Sequence, residues 1–174
     1  MQHVLRQDLQ PLGFYPCVGS KGLCTIVRDG CNVAPVALLP ADGDFRVQRM
    51  AMQLGEHRIL LRHRHAHSSS AAERRRFDEG LILEMGALTI DIGDFNELPS
   101  LPEGSGKALV FPECATFRHD PALEDWSTTI DGAVVSTALA ATATACGLPA
   151  LPRVQHRPVL LEFGLRPVFH EALR

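Results

Sequence analysis

The sequence predicts an α+β fold: a single domain over residues 1–174, with a mainly antiparallel β-sheet, one long buried Ala-rich helix over residues 129–146 and two short helices. Three observations predict it. Most apolar runs are short and bounded by Gly, Pro, Asp or Ser, as hairpin-joined strands are. One long charge-free run, Gly132 to Pro152, is rich in Ala and Thr and carries the helix-stop signal Gly147-Leu148-Pro149. Strands and long helices do not alternate regularly, which argues against a doubly wound parallel sheet. A chain of 174 residues can bury a core of its own without staples.

Taken in order, residues 2–10 suit a short helix with Val4, Leu5 and Leu9 near one face, ended by Pro11 and Gly13. Leu23 to Val27 reads as a strand, Asp29-Gly30 as its hairpin turn and Cys31 to Leu39 as the return. Pro35 marks that return as an edge or a bulge. Ala41 to Asp44 turns again, Phe45 to Met52 alternates as a half-buried strand, and Gly55-Glu56 leads into a strand over His57 to His67. Ser70 with Glu73 three residues on is a capping box for a helix over Ala71 to Asp78, closed by Gly80. Leu81 to Glu84, Ala87 to Ile92, Lys107 to Phe111 and Ala115 to Phe117 are further strands, with residues 97–106 a loop. Thr128 caps the long helix, and Asp131 in its first turn suits the positive end of the dipole. Val159 to Phe163 and Leu165 to Phe169 are the last strands.

Composition narrows the function classes. A net charge of −3 does not suit a strongly basic nucleic-acid binder. Charge is uneven all the same. Eight arginines between Arg46 and Arg76 face only Glu56 and Glu73, a local balance of +6, whereas Asp78 to Glu103 holds seven acids and no Lys or Arg. The bland account is that these blocks lie on solvated faces or neutralise each other. Five cysteines include no CxxC, and Cys17, Cys24 and Cys31 recur at a spacing foreign to zinc fingers. An odd count and an N-terminus without a long apolar core lead us to expect free thiols and a cytoplasmic protein with no membrane role. Walker A, GxGxxG and GxSxG motifs are absent from the sequence.

The candidate site is the run Arg62-His63-Arg64-His65-Ala66-His67. On a strand, residues two apart share a face. His63, His65 and His67 then continue the face of Ile59 and Leu61, while Arg62 and Arg64 point the other way. Imidazoles in a row bind zinc, iron, nickel or copper; Glu73 or His119 would complete the shell.

Two stretches resemble known families. His65-Ala66-His67, then Glu73, then Gly80, with Gly106, Pro112 and His119 further on, resembles a degenerate form of the two cupin motifs. The resemblance covers about a third of the chain and implies His65, His67, Glu73 and His119 as ligands of a cupin-like metalloenzyme. Cys114 replaces the glycine of the second motif, and Arg74-Arg75-Arg76 replaces an apolar strand. The segment Asp131 to Pro152 resembles the small-residue central helix of nitroreductase-like flavoproteins, without their arginine-rich phosphate motif.

The leading expectation is a domain binding a divalent transition metal through His63, His65, His67, Glu73 and His119. The alternative is a non-catalytic assembly subunit, homo-oligomeric or part of a protein complex. It would dock an acidic partner through Arg58, Arg62, Arg64, Arg74, Arg75 and Arg76, with nucleic acid the less favoured ligand because Phe77 is the block's lone neighbouring aromatic.

Overall fold

The computed structural model describes residues 7–18, 24–28, 33–35, 47–54, 57–66, 70–82 and 88–164. A 3₁₀ turn at Gln10–Leu12 is followed by β1 (Phe14–Val18), β2 (Cys24–Arg28), β3 (Val33–Pro35), β4 (Val47–Leu54) and β5 (His57–His65). Then come α1 (Ala71–Ile82), β6 (Leu88–Asp94), β7 (Lys107–Val110), β8 (Asp131–Ser136), the single-turn α2 (Thr137–Ala140), β9 (Ala143–Gly147) and β10 (Val159–Phe163). The turns expected at Asp29-Gly30, Ala41 to Asp44 and Gly55-Glu56, the strand at Leu165 to Phe169, and His67 lie outside the described residues.

Six strands form one sheet in the order β3-β4-β5-β6-β8-β7. The β5–β6 pair is parallel and its other pairs are antiparallel. A parallel pair needs a crossover rather than a hairpin, and α1 lies within that connection, with the Ser70 hydroxyl accepting the Glu73 N–H at its start. One sheet face carries Ile59, Ile90, Val110, Ala133 and Val135, and Leu139 of α2 joins them. Ala143, Ala145, Leu161 and Phe163 of the antiparallel β9–β10 pair pack against this core. A second apolar cluster groups Ala66, Phe95 and Val134 with Val47, Leu101 and Phe111.

The predicted fold class is overturned at its main helix. Residues 129–146 are not a helix: they hold β8, one helical turn and most of β9. β8 is a central strand between β6 and β7, and its residues from Gly132 to Ser136 are all buried. A strand buried on both faces is apolar all round, and so is a buried helix; periodicity cannot separate them. In β9 the Thr144 and Cys146 side chains face solvent while Ala143 and Ala145 face the core, a period of two. The flavoprotein-like helix falls with it. Leu81 and Ile82, expected to begin a strand, end α1 instead.

Candidate metal centre

Strand register builds most of the site. His65 of β5 is the pairing partner of Asp94 of β6, and Asp94 is the partner of Asp131 of β8. Partners across neighbouring strands project from the same face, about 5 Å apart. Three polar side chains therefore stand in a row at the edge of an apolar face, with His65 Nε2 3.7 Å from Asp94 Oδ2. The fourth group, His156, comes from the segment before β10. Its Nδ1 lies 3.1 Å from Asp131 Oδ2, and its Nε2 lies 3.9 Å from Asp94 Oδ2. An ionised carboxylate only accepts, so the Asp131 contact keeps the proton on Nδ1 and turns Nε2 toward Asp94.

The turn after β6 fixes Asp94. The Asn96 N–H donates to Asp94 Oδ1 at 2.8 Å, and the Asn96 side-chain amide donates to the Ala66 carbonyl at 2.8 Å. Asn96 holds a left-handed backbone, φ 58°, which Asn tolerates better than most residues. Thr116 fixes Asp131: its fully buried hydroxyl accepts the N–H groups of both Ile130 and Asp131 at 3.0 Å. The Phe117 ring packs on the His156 imidazole, centroids 5.1 Å apart.

The electrostatics fit a cation. Burial raises the Asp94 carboxyl above its ordinary value; the Asn96 N–H opposes this and the neighbouring Asp131 charge adds to it. The hydrogen bond to Asp131 raises His156 above the usual imidazole value, with burial opposing. One ligand atom from each of Asp94, Asp131 and His156 lies within 4.8 Å of the others, close enough to hold one metal ion. These residues line a cavity of about 480 Å³ together with His63, His65, Arg157 and Leu161. Two carboxylates sharing a partly buried site repel each other, and a divalent ion would relieve that repulsion.

The residues singled out from sequence are dispersed. His63 and His65 both line this cavity. His63 Nδ1 lies 3.3 Å from Thr25 Oγ1, and burial, then the neighbouring His65, lowers its pKa. Glu73 is exposed in the first turn of α1. His119 is exposed and packs edge-on against Phe117, with ring centroids 5.0 Å apart. Arg62 and Arg64 are buried on the opposite sheet face. Their guanidiniums meet Asp91 at 2.6 and 2.5 Å, and burial depresses Arg64 despite that partner. Arg58, Arg75 and Arg76 are exposed, and Arg74 pairs with Glu97 at 3.0 Å. Asp94, Asp131 and His156 escaped sequence reasoning. Asp94 was one acid in a block, Asp131 was a helix-capping acid, and His156 stood in no motif; an acid ending one buried strand and beginning another was the available signal.

No family model and no curated protein matches the chain. Solved structures do match. An endonuclease/exonuclease/phosphatase family protein from Bacteroides thetaiotaomicron aligns at TM-score 0.59 and 16% identity, over 92% of this chain and 79% of that one. A mannosyl-6-phosphatase from the same organism aligns at 0.56 and 15%, over 92% and 81%. The inositol polyphosphate 5-phosphatase domain of a synaptojanin, solved with inositol (1,4)-bisphosphate and calcium, aligns at 0.57 and 14%, over 92% and 66%. The chain spans 61% of the length of a Haemophilus ducreyi cytolethal distending toxin structure that it also matches. The fold is thus that of the endonuclease/exonuclease/phosphatase structures. The cupin-like reading is overturned: the fold differs, and the Glu73 stretch is a helix where a cupin needs a strand.

Proposed function

We propose that the chain is a metal-dependent phosphoester hydrolase whose chemistry rests on Asp94, Asp131 and His156. The observation that carries this is their convergence on one cavity wall, in a fold shared with proteins named as phosphatases and nucleases. A divalent ion held there would polarise a phosphoryl oxygen and neutralise charge building up on it. The chain's own groups do the rest. Asp94, its Oδ1 held by the Asn96 N–H, would turn Oδ2 toward the ion and help hold it where a phosphoryl oxygen binds. His156, its Nδ1 proton held by Asp131, would turn the free Nε2 lone pair toward that ion beside Asp94. His65, on the same face as Asp94, adds a second imidazole to the binding wall.

Initial rates on p-nitrophenyl phosphate and bis-p-nitrophenyl phosphate, with magnesium, manganese, calcium or zinc supplied in turn, test this reading. Turnover should appear with at least one cation and vanish with chelator. Asp94→Asn and His156→Ala should each lower kcat by at least about a hundredfold. Hydrolysis that survives both substitutions, or none with any cation, would overturn it.

A further inference from the structure

His156 is not on a strand, so something other than the main sheet must hold it. A small ladder does. Phe117 is bridged to Thr128 on one side and to His156 on the other. The Arg118 N–H donates to the Gln155 carbonyl at 2.9 Å, and the Arg157 N–H donates to the Thr116 carbonyl at 2.7 Å.

Side chains alternate along extended chain, so this ladder has two faces. Phe117 and His156 share the front, their rings in contact, and His156 lines the cavity. The guanidiniums of Arg118 and Arg157, each one residue further on, turn to the back, where both meet a single indole, while Arg157 also borders the cavity. Arg118 Cζ lies 4.6 Å and Arg157 Cζ 4.7 Å from the centre of the Trp126 ring. The two arginines are held unequally. Arg118 is buried and also donates to the carbonyls of Val154 and Leu123, at 2.8 and 2.5 Å. Among the described residues, Arg157 has a thiol sulfur, Cys114 Sγ at 3.6 Å, as its side-chain acceptor, and its buried Nε has none. Sulfur is a weak acceptor, so the indole is the main anchor of the Arg157 side chain.

We infer that Trp126 is a positioning residue: by clamping Arg157 against Arg118 on the back of this ladder, it holds His156 against Phe117 and Asp131 on the front. The inference rests on the hydrolase reading for its activity readout but not for its structural one. A cavity of about 620 Å³ lined by Arg118, Trp126 and Arg153 opens beside the indole, so removing the indole would let water reach the Arg118 guanidinium that it covers.

A double-mutant cycle tests the coupling. Trp126→Ala should lower kcat about tenfold, with KM little changed, because a misplaced group far from the chemistry costs rate. Trp126→Phe, which keeps a ring for the cations, should stay within about threefold of wild type. In a His156→Ala background the Trp126→Ala effect should shrink below about twofold, since residues acting as a unit are not additive. Full additivity, or an unchanged kcat in Trp126→Ala, would overturn the inference. Should the alanine variant not fold, Trp126→Leu is read in its place. If the wild type hydrolyses neither ester, the hydrolase reading fails alone. The ladder is then judged by nuclear Overhauser contacts between the Phe117 and His156 rings. Their loss in Trp126→Ala and survival in Trp126→Phe sustains the inference; their survival in both refutes it.

Discussion

Arg62, His63 and Arg64 are consecutive, yet they face opposite media, and that alternation decides what each does. The two arginines close on Asp91 in the interior, a buried cluster whose side chains are at most 5% exposed. The histidine faces the cavity. The sequence made this alternation legible, because side-chain parity follows from strand periodicity alone. What completes the site was not legible, because His156 arrives from a loop nearly a hundred residues later and only tertiary structure brings it in. The two histidines should also leave opposite marks on stability. Burial lowers His63, so its protonation is penalised in the folded state, and stability should fall as pH drops below about 6.5 through its folded pKa. Asp131 raises His156, so its contribution is complete below about 6.5 and is lost as pH rises through its folded pKa. In metal-free protein, chemical denaturation across pH 5 to 8, about the range in which imidazoles titrate, should show the acid-side loss flattened in His63→Gln. It should show the alkaline-side loss flattened in His156→Gln. Unchanged profiles would contradict these assignments.

At the scale of elements, β5, β6 and β8 do the positioning, and Gly93 lets them approach. Its φ is 145°, a conformation L side chains rarely adopt, and a Cβ there would overlap the Arg64 carbonyl oxygen on β5. Gly93→Ala should therefore cost roughly 3 kcal/mol or more, through strain and overpacking together. Since Asp94 is the next residue, activity should fall further than stability alone explains. Urea melts alongside initial rates check both, and a variant as stable as wild type would show that the strands have slack. The histidine strand and the capped helix that follows it were readable, because alternation and a Ser-x-x-Glu box are local signals. β8 was not. Gly132 to Ser136 is buried on both faces, and the Ala-Thr stretch after it carries no charge to mark which side is out.

For the molecule as a whole, the site lies where the β9–β10 pair meets the six-stranded sheet. Val159 and Leu161 of β10 close the cavity over Asp94 and Asp131. Among the described residues no helix is long and apolar enough to cross a membrane. Long-range pairing explains why the sequence pointed to a metal but drew a different ligand set. Histidines two apart are visible in a line of text, whereas His65, Asp94 and Asp131 become neighbours only through a parallel crossover and a long connection between β6 and β8. The central claim is that Asp94, Asp131 and His156 share one cation. Electron paramagnetic resonance of manganese titrated into the protein tests it most directly. One ion should bind per chain, with affinity weakened at least about tenfold in Asp94→Asn, Asp131→Asn and His156→Gln, and unchanged in Glu73→Gln. Binding indifferent to all three substitutions, or abolished by the Glu73 change instead, would contradict the account.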